Sequence, residues 1–182
     1  MPKKMQKSYE VNILSLSSVK ELQKNLRSYR DYITRRCRVL VQRLAEKGIV
    51  VAQARLDETD EGKTITLRIE TENIHRGGSA KIIGVGPIKS VEGREPFSIM
   101  LAVEFGAGTS LNSTLNPKAS ELGYGPTTYP GQTHANEPYW HYWDTETESW
   151  KSTKGIKATM PMYSAFLEVY KVAQQTAIEV FR

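Results

Sequence analysis

Cysteine is almost absent. Cys37 is the only one in 182 residues, so no intrachain disulfide can form, and the chain is expected to fold in a reducing compartment with Cys37 packed as a small apolar side chain. Long hydrophobic runs are missing as well. No segment approaches the ~20 consecutive apolar residues a membrane span requires, and the opening MPKKMQKSYEVNIL has basic residues but no apolar core of signal-peptide length. Neither membrane insertion nor secretion is expected. Histidine is scarce, with three in the chain; His134 and His141 have Glu137 and Asp144 nearby but no close-spaced ligand pair, so no zinc site is expected. The glycine loops GVGPIK and GAGTSL lack the third glycine or the Gly-Lys-Ser/Thr of a phosphate cradle. DETDEGK alternates carboxylates like a calcium loop, but its twelfth position is Arg68 where a bidentate acid is needed. With no nucleophile elbow, paired-acid motif or dinucleotide fingerprint, the expectation is a protein without catalysis and without a cofactor.

What the chain does have is an ordinary globular composition, 39% hydrophobic and 25% charged, and enough length for one domain, expected to span 1–182 with a long loop at 106–138. Its net charge of +5 is local: residues 18 to 47 hold nine Lys/Arg against three acids, +6 on their own, which leaves the remainder near −1. In that segment Leu22, Leu26, Tyr29, Ile33, Cys37, Leu40 and Leu44 recur at three- and four-residue spacing, the signature of a long amphipathic helix. Ser18 with Glu21 forms a capping box at its start, and Gly48 suits a left-handed stop. Lys20, Lys24, Arg27, Arg35 and Arg38 fall opposite the apolar stripe, giving a basic outer face expected to meet solvent or a polyphosphate partner.

Alternating patterns predict strands at YEVNI (9–13), VVAQARL (50–56), TITLRIE (64–70), AKIIGV (80–85) and FSIMLAVEF (97–105), the second and third forming a hairpin through DETDEGK. From 106 to 138 the pattern stops for 33 residues, nine of them Gly or Pro, a length usually reserved for functional loops or loops ordered by a partner. EPYWHYWDTETESW (137–150) then holds all three tryptophans. As a strand it puts Tyr139, His141 and Trp143 on one side and Trp140 and Tyr142 on the other, so both faces need cover. MYSAFLEVYKVAQQTAIEVF closes the chain at helical spacing. The class expected is α+β: an antiparallel sheet of about five strands packed by the long N-terminal helix and a C-terminal helix.

The order AVEFGAGT, a Gly/Pro-rich loop, YWHYWD…SW and then TKGIKATMPMYSAF resembles the tail-completion, or head-tail joining, proteins of long-tailed bacteriophages over residues 101 to 167. The resemblance implies a structural virion protein, assembled in the host cytoplasm, that forms a homo-oligomeric ring, generally sixfold, at the head-proximal end of the tail. Its neighbours would be the tail tube or terminator protein and the head connector or stopper protein, with the genome passing through the centre. Subunit or partner contacts are then expected at Glu104, Phe105, Tyr139, Trp140, His141, Tyr142, Trp143 and Trp150. The basic face would be positioned for non-specific contact with DNA. Two other readings of the residues stand beside this one, a basic nucleic-acid-binding module and a hydrolase without a familiar motif.

Overall fold

The computed structural model describes residues 15–89, 96–108, 116–121, 139–144 and 147–182. The expected strand at 9–13 and most of the loop at 106–138 lie outside them.

Helix α1 runs from Leu16 to Leu56, with the Ser15 hydroxyl accepting from the Ser18 backbone N–H at 3.4 Å. It continues past Gly48, so residues 50–56 are its last turns and not a strand. Val50 and Val51 favour strands locally, but Ala45, Gly48, Ala52 and Leu56 recur at helical spacing and are all buried, and packing of that stripe overrides propensity. Gly48 serves close approach rather than chain reversal. A Cβ there would stand 2.8 Å from Ile82 Cδ1 and 2.9 Å from Val169 Cγ2.

A short 3₁₀ turn at Gly62–Thr64 leads into β1 (Thr66–Glu72), which pairs antiparallel with β2 (Ser79–Val85) in the register Thr66↔Val85 to Glu72↔Ser79. The hairpin therefore uses 79–85 as the partner of 66–72. β3 (Ile88–Lys89) pairs with β4 (Phe97–Ser98). The chain then turns into helix α2 (Ile99–Phe105), where a strand was expected. Ser98 caps α2 by accepting from Leu101 N, and Ile99, Ala102 and Val103 bury its inner side at i, i+3 and i+4. β5 (Ala107–Gly108) pairs with β8 (Gly155–Ile156), and β6 (Trp140–Asp144) with β7 (Ser149–Thr153). A helical turn, α3, spans Lys118–Glu121, and α4 spans Pro161–Phe181.

The class is α+β, with antiparallel strands distributed among the described residues over four two-stranded ladders. Leu56, Ile65, Ile99 and Val103 form the central cluster, flanked by Leu67, Phe97, Met100 and Ile156. The Val103 carbonyl accepts from Thr159 N at 2.9 Å at the start of α4. Further along, Gly48 meets Ala165 and Val169, and Lys47 Nζ donates to Thr176 Oγ1 at 3.0 Å. α4 thus runs back along the C-terminal half of α1. At about 1.5 Å per residue, the 41 residues of α1 span about 61 Å and the 21 of α4 about 31 Å. The N-terminal half of α1 extends past α4, and no residue from 16 to 36 is fully buried.

Candidate functional site

Glu104 is interior, 5% exposed, and Phe105 beside it is buried as well. Both were expected at a subunit contact; the structure puts them inside the subunit. The Glu104 carboxylate accepts from Met162 N at 2.8 Å through Oε2, and from Tyr163 N at 3.0 Å and Asn116 Nδ2 at 2.7 Å through Oε1. α4 needs this help. Its N-cap residue, Met160, sits in the left-handed region at φ 54° and has no side-chain capping bond, so Glu104 satisfies N–H groups that a helix start leaves unpaired and places negative charge on the positive end of the helix dipole. Burial pushes the Glu104 carboxyl above its ordinary value, while Met162, Tyr163 and Asn116 pull it part of the way back. Gly106 follows at φ 80°, a backbone state that favours glycine. The two segments that carried the family resemblance, AVEFGAG and TMPMY, therefore meet here and lock α2 to α4. Helical spacing in α2 and the missing cap at Met160 were the available signals, but only the tertiary fold joins them.

The aromatic segment forms a hairpin. Trp143 pairs across the ladder with Trp150, their rings edge to face at 5.7 Å, and Tyr139 meets His141 in the same manner at 5.6 Å. Its turn is held by Thr147 N donating to Asp144 Oδ1 at 3.2 Å and by an ion pair between Lys151 Nζ and Asp144 Oδ2. Tyr139, His141, Trp143 and Trp150 are all exposed, Trp150 to 71%. Trp140 and Tyr142 lie in β6, paired with Thr153 and Lys151; their side chains are outside what is described. Among the described residues this hairpin pairs with no further strand, and its apolar rings are a surface of the kind that marks protein contacts.

The third feature is the projecting half of α1. Lys20, Lys24, Arg27 and Arg35 are exposed there, as expected. Arg38 is not free in the same way: its Nε donates to the Gly77 carbonyl at 3.0 Å, and its stem lies under Gly78 in the β1–β2 connection. The helix is covered on two sides at this level, by α4 and by the β1–β2 hairpin, so a face that is outer at Arg27 is inner at Arg38. Arg30 pairs with Asp31 at 2.9 Å, and Arg36 stacks over Tyr32 at 5.2 Å.

Among the described residues no group of three or more His, Cys, Asp or Glu is placed to hold a metal ion, and no helix is long and apolar enough to cross a membrane. His134 lies outside the described residues. Comparison with protein-family models, curated proteins and solved structures returns no match.

Proposed function

We propose that the chain is a structural subunit of a phage tail, assembling into a ring, of six copies on the family resemblance, where the tail meets the head connector. The role is non-catalytic: the ring joins the tail tube or terminator protein to the connector or stopper protein and lets the genome through. The observation that carries this reading is the aromatic hairpin, whose Trp143, Trp150 and Tyr139 stand in solvent on the isolated subunit. Large aromatics cost free energy when left in water and supply most of the energy of protein interfaces. The Glu104 capping of α4 supports the same reading from another side, because it gives a physical reason for the two motifs behind the resemblance. The experiment is electron microscopy of the purified protein together with pull-down of tail-tube and connector proteins from the phage that encodes it. Rings that retain both neighbours are expected; a protein that remains monomeric and binds neither overturns the proposal.

The exposed cations Lys20, Lys24, Arg27 and Arg35 favour a second reading, a nucleic-acid-binding module. Phosphate contacts of this kind are sequence-independent and weaken steeply with salt. Fluorescence anisotropy with labelled duplexes separates the two: tight, salt-sensitive binding by the monomer favours the module, and binding only by the assembled ring fits a channel surface.

A further inference from the structure

The two ends of α1 carry opposite charge. Residues 16–36, the half that extends past α4, hold six Lys/Arg against two acids, a net of +4. Just beyond the other end, residues 57–64 hold four acids against Lys63, a net of −3. The helix between them is about 61 Å long at 1.5 Å per residue, whereas salt screens exposed charges beyond ~8–10 Å. One end therefore cannot neutralise the other within a subunit. The local ion pairs at the acidic end, Arg55–Glu58 and Lys63–Asp60, are exposed and so contribute little.

Each end also presents uncovered apolar surface. On the projecting half of α1, Leu26 and Tyr29 are half exposed. Toward the other end of α1, on the first half of α4 where Ala165 and Val169 approach Gly48, Phe166 is 60% and Tyr170 is 78% exposed, one turn apart on the same side of the helix.

We propose that a second copy of this chain covers these surfaces: the N-terminal half of α1 of one subunit docks on the Phe166/Tyr170 side of α4 and the acidic 57–64 segment of the next. The inference rests on the reading of the chain as a ring subunit and names one of its contacts. Charge selects the occupant, since +4 meets −3 in this arrangement while two arms, or two acidic ends, repel. A contact between different surfaces of one chain repeats head to tail and closes when the rotation allows.

A charge-swap experiment tests the contact. One variant carries Lys20→Glu, Lys24→Glu and Arg27→Glu; the other carries Asp57→Lys, Glu58→Lys and Asp60→Lys. All six side chains are exposed, and the ion pairs lost with Glu58 and Asp60 are surface pairs worth little, so both variants are expected to fold; circular dichroism checks this. Sedimentation velocity in 100 mM NaCl is expected to show wild-type oligomers, self-association weakened at least about tenfold in each variant alone, and recovery in a 1:1 mixture, where reversed arm meets reversed end. Either variant assembling alone like wild type, or a mixture that stays monomeric, overturns the docking contact. If the variants assemble alone into rings, the ring reading stands and this contact fails. If the mixture recovers only a two-subunit species, the contact stands and the ring reading fails. A wild-type chain that stays monomeric at about 1 mM overturns both.

Discussion

Replacing Glu104 with alanine removes the acceptor shared by Met162 N, Tyr163 N and Asn116 Nδ2. Each such bond contributes about 1 kcal/mol net, which puts the loss at about 3 kcal/mol, and the shortened side chain leaves α4 without a cap. For a chain of this size, about 2–4 °C per kcal/mol places the fall in Tm at roughly 6–12 °C. Glu104→Gln keeps the shape and one acceptor oxygen but turns an amide N–H₂ toward a donor, so its loss is smaller, about 1–2 kcal/mol. Urea unfolding followed by far-ultraviolet circular dichroism measures all three proteins. The pH dependence carries a sign. Because burial raises the folded carboxyl above its unfolded value, at a pH between the two values the native state holds a proton that the unfolded chain has already released, and above both the carboxylate is charged in either state. The resulting stabilisation is fully present below the unfolded value, near 4.3, and is lost as pH rises through the folded one. The stability of wild type relative to Glu104→Gln is therefore expected to fall on going from pH 4 upward. A difference that instead grows with pH, or a Glu104→Ala loss below about 1 kcal/mol, refutes the account of this carboxylate.

Three other outcomes follow from the packing. Gly48→Ala gains about 0.5–1 kcal/mol of helix propensity, but its Cβ meets Ile82 and Val169 at 2.8 and 2.9 Å, and overpacking costs about 1–3 kcal/mol; a net loss in urea unfolding is expected, and a gain contradicts the close approach. Trp150→Ala should change monomer stability by no more than about 1 kcal/mol, the worth of an edge-to-face ring pair, while sharply reducing assembly by sedimentation, because Trp150 is exposed in the free subunit. Arg38→Ala should lose about 1 kcal/mol with its bond to Gly77, whereas exposed Lys24→Ala leaves the unfolding midpoint unchanged; equal effects would contradict the distinction between them.

Helical periodicity made α1 and α4 legible, because apolar residues three and four apart need no tertiary knowledge to interpret. Their limits were harder. Gly48 reads as a helix stop in isolation, and only the approach of β2 and α4 explains a glycine in mid-helix. Residues 97–105 mix β-branched and aromatic side chains that alternation cannot distinguish from a short buried helix. The Ser98 cap and the burial of Ile99, Ala102 and Val103 decide it. The aromatic hairpin was visible in its composition, and Tyr139, His141 and Trp143, which share one side in the sequence pattern, are all exposed. Arg38 and Glu104 were misplaced for one reason: each is positioned by a distant segment, Gly77 in one case and Met162 in the other, and sequence spacing does not carry contacts of that range.

Native mass spectrometry of the full chain, at tens of micromolar, tests the ring most directly. A closed oligomer of one discrete stoichiometry, six on the present reading, with Trp150→Ala shifted toward monomer, is the predicted result. Monomer alone across the concentration range, or a ladder of open oligomers unaffected by Trp150→Ala, would contradict it.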